Sequence, residues 1–426
     1  MNVLIVGGGG RELALLTALS KSRAISKLYV APGNGGMASL AECVSISATD
    51  IEGLTTFATE NQIDYVVVAP DDPLCLGLVD RLKEVGIPAF GPSKAAARIE
   101  GSKAYSKELM KRYHIPTAGY ETFTDVEKAL AYVNERNCPL VVKADGLALG
   151  KGVLLCDDAK EASDAVVDML TNAKFGKSSE CIVIEDYLQG PEVTVLCFTD
   201  GKTIVPMPSS MDHKRALDGD EGLNTGGMGV IAPNPYYTKE IANECMETIF
   251  LPTLKALQEE NAPFTGCLYF GLMLTKDGPK VIEYNCRFGD PETQALMPLL
   301  QSDLFTIMKA TTEGTLSDKD VVFSDKASCC VVLASGGYPK SYASGKVITG
   351  LDAVQNGAYV YHAGTKKVED TVVSSGGRVL AVTTTADTLA QAIQSAYEAT
   401  TSIHFDGMHK RNDIGQLALK AHQRKG

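Results

Sequence analysis

The first hundred residues alternate strand-like and helical patterns, and this alternation constrains the fold more than any other feature of the chain. Runs rich in β-branched residues at 3–6, 28–31 and 65–69 are separated by helical patterns near 11–21 and 73–85. Such βαβ units build an open parallel sheet that is covered by helices. We therefore expect ligands to bind beyond the carboxyl ends of these strands, as they do in open α/β sheets.

Turns marked by glycine or proline follow those strands. They read GGGGR at 7–11, APGNGG at 31–36 and APDDP at 69–73. The tetraglycine does not match the dinucleotide fingerprint G-x-G-x-x-G, because Glu12 or Leu13 stands where the third glycine or alanine is needed. A glycine-rich turn that opens a helix can still hold a phosphate monoester on its backbone N–H groups. A merely tight strand-to-helix turn is the alternative.

Composition argues against several classes of protein. The 426 residues suffice for two or three domains, and the formal net charge of −12 gives little support for a general nucleic-acid or membrane-surface role. No apolar stretch approaches the roughly 18 residues of a transmembrane helix, and Met1 leads directly into a strand-like run, so we expect no secretory leader. The 11 cysteines include no C-x-x-C pair, which argues against a disulfide framework or a zinc site and favours a reducing cytoplasm.

Three polar side chains alternate along a strand predicted at 281–286. Residues two apart on a strand point to the same face, so Glu283, Asn285 and Arg287 are expected in one row. Two hard oxygen ligands suit Mg²⁺, which completes its octahedron with water and phosphate. The guanidinium suits bidentate contact with phosphate oxygens. The row therefore predicts the floor of a nucleoside triphosphate site.

The alternative for this row is the solvated face of an edge strand. The following turn, FGDPETQ at 288–294, adds two carboxylates beside the row. Arg287 can then be a structural partner of Asp290 or Glu292.

A lysine and a glycine-rich loop follow another predicted strand in the middle of the chain. Lys143 ends the run PLVVK, and ADGLALGKGV at 144–153 comes directly after it. A lysine beside such a loop is how a flexible flap covers triphosphate oxygens, so we expect a phosphate contact at Lys143. The loop is not a Walker A motif, because only three residues separate Gly146 from Gly150 and Gly152 stands where serine or threonine is needed.

Two further segments have the composition of binding elements. The strand-like run 181–188 carries Glu185 at its acidic end, and a Gln-Gly-Pro turn then precedes Glu192. Such a hinge can present backbone groups to adenine and leave an acid for ribose hydroxyls, with ordinary strand-end charges as the alternative. The segment 220–229 contains four glycines and predicts a long functional loop.

The remaining segments are predicted from periodicity. One helix is expected from about 94 to 113, and it contains Lys103. The last hundred residues read as strand-rich, with a helix near 389–401. Cys329 and Cys330 lie in an apolar strand-like run and are expected to be buried thiols.

The chain resembles the phosphoribosylamine–glycine ligases (glycinamide ribonucleotide synthetases), a family of the ATP-grasp superfamily. The resemblance runs nearly end to end and is most specific in the last two of the central motifs. The motifs are GPS at 91–93, EGSK at 100–103, IPTA at 115–118, KADG at 143–146, GKG at 150–152, DHKR at 212–215, NTGGMG at 224–229 and 283–294; GGYP at 336–339, HAGTK at 362–366 and GGR at 376–378 follow.

The resemblance implies a multidomain fold of the α/β and α+β classes. It places an N-terminal open parallel α/β domain at 1–102 and an ATP-grasp domain at 103–325, with a flexible flap at about 120–190. A small β-rich C-terminal domain then occupies 326–426.

The resemblance also implies the reaction. Glycine is ligated to 5-phosphoribosylamine at the expense of ATP, through glycyl phosphate, to give glycinamide ribonucleotide, ADP and phosphate in de novo purine biosynthesis. The implied cofactors are ATP and Mg²⁺ or Mn²⁺. The two small-molecule substrates are the implied partners, with no nucleic acid and no membrane. A cytoplasmic monomer or weak dimer is expected, with transient hand-over of the amine from the amidotransferase of the preceding step.

Site residues are carried over by position from the same resemblance. The catalytic candidates are Lys143, Asp212 and Arg287, and the metal ligands are Glu283 and Asn285. The residues expected to bind ATP are Lys103, Lys143, Gly150, Lys151, Gly152, Glu185, Tyr187, Leu188, Glu192 and Lys214. The residues expected to bind the other substrates are Gly8, Gly9, Gly10, Arg11, Asp71, Asn224, Thr225 and Gly226.

Some alternatives stay open at this point. Another ATP-grasp ligase or carboxylase that uses formate or bicarbonate, a nucleotide-binding protein without turnover, and a nicotinamide oxidoreductase are the rival hypotheses. His213 is assigned either proton transfer or positioning, and 411–415 is expected to be a domain-docking turn. The chain departs from the family pattern at Leu13, Asp71 and Leu149, among other positions.

Overall fold

The computed structural model describes residues 1–136, 138–147, 152–354 and 357–423. Gly150, Lys151 and Leu149, which the sequence singles out in the glycine-rich loop, lie outside the described residues. No helix in these ranges is long and apolar enough to cross a membrane.

The N-terminal segment forms the expected open parallel sheet. Its five strands have the order β3-β2-β1-β4-β5, and every pairing is parallel. The elements are β1 (Asn2–Gly7), α1 (Gly10–Leu19), β2 (Lys27–Pro32), β3 (Glu42–Cys43), α2 (Ile51–Glu60), β4 (Tyr65–Val68), α3 (Asp71–Leu76), α4 (Leu78–Glu84) and β5 (Ala89–Phe90). The central strands are buried on both faces, as parallel strands between helices are.

Two predicted helices are each divided in two. The helix expected at 73–85 is interrupted at Gly77, whose φ of +94° is left-handed and ends α3 before α4 begins. The helix expected at 94–113 is α5 (Lys94–Gly101) followed by α6 (Lys103–Arg112). Ser102 between them is extended, and its hydroxyl accepts from the Tyr105 N–H at 3.1 Å, which caps α6.

A four-stranded antiparallel sheet follows and packs its own small core. Its order is β6-β9-β7-β8, and two helices cover one face. The elements are β6 (Tyr120–Phe123), α7 (Val126–Glu135), β7 (Leu140–Ala144), β8 (Val153–Cys156), α8 (Ala159–Leu170) and β9 (Ile182–Asp186). We call this unit the flap sheet.

The central segment contributes strands to three different sheets. The elements are β10 (Glu192–Asp200), β11 (Ile204–Pro206), β12 (Met211–Asp212), β13 (Arg215–Leu217), β14 (Glu221–Asn224), β15 (Gly229–Ala232), α9 (Lys239–Cys245), α10 (Leu251–Glu259), β16 (Thr265–Thr275), β17 (Gly278–Asn285), α11 (Glu292–Leu296) and α12 (Leu304–Glu313). Four of them form the antiparallel sheet β11-β10-β16-β17, in which β17 is an edge strand. The long loop expected at 220–229 is instead part of the β13–β14 hairpin and the start of β15.

The C-terminal segment is rich in strands, as expected. It contains β18 (Ala327–Ser335), β19 (Tyr359–His362), β20 (Thr365–Val368), β21 (Thr371–Ser374), β22 (Arg378–Ala386), α13 (Leu389–Thr400), β23 (Met408–His409) and α14 (Gln416–Gln423). Its main sheet has the order β12-β15-β18-β22-β19, so two strands that precede residue 325 complete it. Cys329 and Cys330 are buried in β18. The domain boundaries given above stay predictions.

Candidate active site

The polar row predicted on β17 lies where cations from several elements converge. Glu283 and Asn285 are at the end of β17, and Arg287 follows it. The Lys214 ammonium lies 3.4 Å from Glu283 Oε1. Burial alone would raise the pKa of Glu283, but surrounding cations hold it below its ordinary value. Those cations are Lys214, Lys143, Lys103 and Arg287.

A buried carboxylate that the sequence analysis did not assign organises this row. Glu100 at the end of α5 accepts from Asn285 Nδ2 at 3.0 Å, from the Cys286 N–H at 2.7 Å and from Arg287 Nη2 at 2.9 Å. Burial raises the pKa of Glu100, and the Arg287 guanidinium opposes that rise. Arg287 therefore pairs with Glu100, and not with Asp290 or Glu292 as the alternative had it.

The oxygens of the row fit a hard divalent cation. The amide nitrogen of Asn285 donates to Glu100 and to the Tyr284 carbonyl. Its Oδ1 accepts no hydrogen bond from the residues that the structure describes. Within those residues no three His, Cys, Asp or Glu side chains are grouped to hold a metal ion by themselves. Mg²⁺ needs only one or two protein oxygens when phosphate supplies the others, so Glu283 and Asn285 are a suitable pair.

Lys143 on β7 is buried and held by two oxygens. Its Nζ lies 2.8 Å from Glu185 Oε1 and donates to the Ile282 carbonyl at 3.3 Å. Glu185 lies opposite Val141 in the β7–β9 pairing, so Lys143 is the diagonal neighbour on the same face of the flap sheet. Burial opposes ionisation of Glu185, but Lys143 and a second buried lysine, Lys107, hold its pKa below the ordinary value.

Lys103 occupies the first position of α6, directly after the break at Ser102. Its Nζ donates to the Gly146 carbonyl at 3.0 Å, and burial lowers its pKa. The Ser102 hydroxyl donates to Asp145 at 3.0 Å, and the Ala104 N–H donates to the same carboxylate at 2.7 Å. The helix break thus fixes Lys103 to the start of the glycine-rich loop.

The link between β9 and β10 carries the residues expected near adenine and ribose. Tyr187 and Glu192 are exposed, and Leu188 is half-buried. Lys214 on the segment after β12 lies 3.8 Å from Glu192 Oε2, which brings Glu192 to the same side as Glu283. Gly152 is at the far end of the glycine-rich loop, where its carbonyl accepts from the Ala144 N–H at 2.8 Å.

The buried Glu292 and the half-buried Asp212 lie beside the row. Burial and the nearby Glu292 raise the pKa of Asp212 well above its ordinary value, and burial also raises the pKa of Glu292. The Tyr269 hydroxyl donates to Glu292 Oε1 at 3.0 Å. A cation bound beside these two carboxyl groups would favour their ionised forms. From the sequence, Glu292 was expected only as an alternative partner of Arg287, and its place beside Asp212 was not predicted.

The β13–β14 hairpin and the segment after it close this side of the site. Thr225 is buried, and its hydroxyl donates to the Lys214 carbonyl at 2.8 Å. Arg378 from the C-terminal segment donates to the Gly226 carbonyl at 2.8 Å and to the Asp290 carbonyl at 2.6 Å. Asn224 ends β14 opposite Arg215 and is half-buried.

The glycine-rich turn after β1 faces the same region. The Gly9 N–H donates to Glu12 Oε2 at 2.6 Å, and the Arg11 N–H donates to Asp290 Oδ2 at 3.4 Å. The Arg11 side chain is buried, and its Nη1 donates to the Phe288 carbonyl at 3.2 Å. Gly8 and Gly10 approach their neighbours so closely that a Cβ would meet the Gly33 carbonyl at 2.4 Å or Gln294 at 2.6 Å.

Asp71 opens α3 on the adjacent strand end. It is half-buried, and its charge acts on both Glu100 and Arg287. Burial and the Asp71 charge raise the pKa of Asp72. The turn after β4 therefore lies next to the arginine end of the polar row.

His213 is fixed by hydrogen bonds on both ring nitrogens. Nε2 accepts from the Gly415 N–H at 3.0 Å, so the proton is on Nδ1, which lies 3.1 Å from the Gly229 carbonyl. Burial lowers the pKa of this imidazole. Of the two alternatives for His213, the structure supports positioning.

The turn at 411–415 docks the end of the chain on the β13–β14 hairpin, as expected. The Arg411 guanidinium is fully buried, lies 2.7 Å from Asp413 and 2.8 Å from Asp220, and donates to the Arg215 carbonyl at 3.1 Å.

Lysines and carboxylates lie between the flap sheet and the central sheet β11-β10-β16-β17. An open α/β sheet precedes these two sheets in the chain, and a β-rich segment follows them. This arrangement defines a protein of the ATP-grasp class. Three family models match the chain in order, namely the N domain of phosphoribosylglycinamide synthetase at 1–100, its ATP-grasp (A) domain at 101–293 and its C domain at 328–417. The chain belongs to the phosphoribosylglycinamide synthetase family.

Individual relatives agree with this assignment. The chain is similar to the phosphoribosylamine–glycine ligases of Halalkalibacterium halodurans and of Vibrio vulnificus strain CMCP6. The first is 47% identical over 98% of this chain and 97% of the relative, and the second is 47% identical over the full length of both. A solved structure of the ligase from Thermotoga maritima superposes with a TM-score of 0.84 at 31% identity, over 97% of this chain and 100% of that one. The resemblance and the fold class predicted from the sequence are confirmed.

Proposed function

We propose that this chain ligates glycine to 5-phosphoribosylamine at the expense of ATP, giving glycinamide ribonucleotide, ADP and phosphate. The observation that carries the proposal is the convergence of Lys103, Lys143, Lys214 and Arg287 on Glu283 in a chain of this family.

Two balanced steps describe the reaction. A carboxylate oxygen of glycine attacks the γ-phosphorus, the bond to the β-phosphate oxygen breaks, and glycyl phosphate and ADP form. The amine of phosphoribosylamine then attacks the acyl carbon, loses a proton and expels phosphate. Phosphoryl transfer mainly requires positioning and charge neutralisation, and no side-chain nucleophile takes part.

The lysines and the arginine supply those two requirements. We assign Lys103 and Lys143 to the phosphate oxygens of ATP. The Lys103 ammonium is held at the start of the glycine-rich loop, and the Lys143 ammonium is held beside β17. We assign Arg287 to the transferred phosphoryl group. Mg²⁺ or Mn²⁺ held by Glu283 and Asn285 would neutralise charge on the phosphates. Gly150, Lys151 and Gly152 are assigned to the loop that covers them.

The nucleoside end is assigned to the link between β9 and β10. Tyr187 and Leu188 offer their backbone and side chains to adenine, and the exposed Glu192 suits the ribose hydroxyls, while Lys214 lies between Glu192 and Glu283. The Glu185 carboxylate is buried between two lysines. A direct contact of Glu185 with ribose stays a prediction, and we propose that it positions Lys143.

The two other substrates are assigned to opposite sides of the row. We propose that Asp212 and Glu292 bind the ammonium group of glycine, whose positive charge would offset the burial that raises the pKa of both carboxyl groups and the Glu292 charge that further raises the pKa of Asp212. The residues we assign to phosphoribosylamine are Gly8, Gly9, Gly10, Arg11 and Asp71. Asn224, Thr225 and Gly226 are assigned with Asp212 to the glycine end. Arg11 would act through its backbone, because its side chain is taken up by Glu12 and Phe288.

The test is release of ADP by the purified chain with Mg·ATP, glycine and phosphoribosylamine made in situ from ribose 5-phosphate and ammonia. Each component is omitted in turn, and the product is identified by mass. We expect release only when all three are present, with glycinamide ribonucleotide as product. Release with formate or bicarbonate in place of glycine, or without the amine, would refute the assignment. Replacing Mg²⁺ by Mn²⁺ in the same assay decides the metal preference.

Other properties of the protein are proposed on the same basis. We propose a cytoplasmic monomer or weak dimer that receives phosphoribosylamine by transient hand-over from the amidotransferase of the preceding step. Sedimentation at assay concentration measures the oligomeric state.

A further inference from the structure

A second buried lysine lies directly behind Lys143, and the reaction proposed above gives it no role. Lys107 is on α6, one helical turn after Lys103, and only 2% of its side chain is exposed. Its ammonium lies 3.0 Å from Glu185 Oε2 and donates to Thr117 Oγ1 at 2.7 Å. A lysine is almost never buried to this extent unless it is paired.

The contacts of Lys107 join the flap sheet to the body of the protein. Glu185 belongs to β9 of the flap sheet, whereas Lys107 belongs to α6, which packs on β17. The Thr117 hydroxyl that accepts from Lys107 donates to the Val281 carbonyl of β17 at 2.7 Å. Glu185 in the flap sheet is therefore held by Lys107, which is itself linked through Thr117 to β17, the strand that carries the polar row.

The two oxygens of Glu185 are divided between the two lysines. Oε2 faces Lys107, and Oε1 faces Lys143 at 2.8 Å. Contacts at both oxygens restrict rotation of the Glu185 carboxylate, and Oε1 then holds the Lys143 ammonium next to the Ile282 carbonyl. Partners one shell removed from a ligand orient it in this way and are costly to remove.

We propose that Lys107 is a positioning residue for ATP, which acts through Glu185 to hold Lys143 beside the polar row. This inference rests on the proposed function, because it names a further residue of the same site. Because two lysines share one carboxylate, Lys107, Lys143 and Glu185 together carry a net positive charge when all three are ionised. Without Lys107, Glu185 would be free to turn toward Lys143 alone and to cancel its charge.

The test compares Lys107→Met with a matched control on the same helix. Lys111 is exposed and lies one turn later; its ammonium is 5.9 Å from the centre of the Tyr120 ring, against 5.8 Å for Lys107. Lys111→Met removes the same charge and the same aromatic contact without touching Glu185. We expect Lys107→Met to raise the KM for Mg·ATP about tenfold, as loss of one charged hydrogen bond does, with a smaller change in the KM for glycine. Lys111→Met should stay within about twofold of the parent protein.

A double-mutant cycle separates positioning from general stability. If Lys107 acts through Glu185, then Lys107→Met added to Glu185→Gln should change kcat/KM for Mg·ATP much less than Lys107→Met alone. Additive effects would overturn the proposal, and so would a KM for Mg·ATP that is unchanged in folded Lys107→Met. Lys107→Arg, which keeps the charge, should recover part of the loss.

Two further measurements keep the outcome decisive. If Lys107→Met does not fold, Lys107→Gln takes its place, because the amide can still donate to Thr117 and Glu185. Calorimetric binding of Mg·ATP without the other substrates tests Lys107 independently of turnover. Weaker binding in the variant with no product from the parent protein would leave the Lys107 proposal supported and refute the ligase assignment alone.

Discussion

Replacing Glu100 by Gln should both destabilise the protein and weaken its use of Mg·ATP. Glu100 is a buried carboxylate that accepts three hydrogen bonds, from Asn285 Nδ2, the Cys286 N–H and Arg287 Nη2. Glutamine is almost isosteric, so the change alters charge and hydrogen bonding while it leaves packing intact.

The magnitude follows from those three bonds. The glutamine carbonyl at the Oε1 position keeps the bonds from Asn285 and Arg287, but each weakens from a charged to a neutral acceptor, by about 1 kcal/mol. The amide nitrogen at the Oε2 position then faces the Cys286 N–H, and two opposed donors cost about 1–3 kcal/mol. The sum is about 3–5 kcal/mol, a large share of the roughly 5–15 kcal/mol that stabilises a typical protein.

The assay is urea unfolding followed by circular dichroism, because the chain contains no tryptophan. A chain with several domains can unfold in more than one step, so the shift of each transition is compared with the parent protein. Glu108→Gln is the matched control, since Glu108 is exposed and its ion pair with Arg112 spans 3.8 Å; we expect a change below about 1 kcal/mol there.

Kinetics then tests the organising role of Glu100. Because the neutral carbonyl holds the Asn285 amide and the Arg287 guanidinium more weakly than the carboxylate does, Oδ1 of Asn285 is presented less firmly to the metal, and the KM for Mg·ATP should rise about tenfold. A stability loss below about 1 kcal/mol together with unchanged kinetics would refute the reasoning, because it would mean that the three hydrogen bonds do not order the row.

Two more predictions concern Glu283 and His213. Glu283→Ala should nearly abolish turnover by removing a metal ligand while the unfolding curve stays close to that of the parent; most of the activity remaining in a folded variant would contradict the metal assignment. Stability should decline as the pH falls below about 6.5, the ordinary pKa of histidine. Burial keeps the pKa of His213 below that value in the folded protein. Just below pH 6.5 this histidine therefore takes up a proton in the unfolded chain but not in the folded protein. The contribution is complete above that pH, and His213→Gln should reduce the difference between urea midpoints at pH 5.5 and 7.5; an unchanged difference would argue against this role.

Local patterns predicted the elements that carry the site but not all of their partners. The alternation of Glu283 and Asn285 along a strand is a local signal, and so is the lysine at the end of PLVVK. The partners of Glu100 lie 185, 186 and 187 positions later in the chain, at Asn285, Cys286 and Arg287. No spacing rule reveals a partner at that sequence separation. The available signal was Glu100 itself, three residues before Lys103. A carboxylate on the buried face of a helix needs a cationic or hydrogen-bonding partner.

Backbone breaks and sheet membership were missed for a related reason. Ser102 has ordinary helix neighbours, and its extended conformation follows from tertiary bonds to Asp145. Gly77 carried the usual glycine signal for a helix end, and a break could have been predicted there. The short strands β12 and β15 join a sheet with β18, about a hundred residues later, because their pairing is decided by burial and not by local propensity.

The cations of the site are ordered by the protein itself, and this determines how its variants should behave. Each cation assigned to phosphate already has a protein oxygen, as Lys103 has the Gly146 carbonyl and Arg287 has Glu100. Groups that are fixed before the reaction need no reorganisation when charge develops on the transferred phosphoryl group. Removing one of the oxygens that hold them should therefore act mainly through misplacement of a cation that is still present. Such a variant keeps the positive charge of the cation in the site but loses rate or affinity for Mg·ATP. A variant that lacks the cation loses that charge as well.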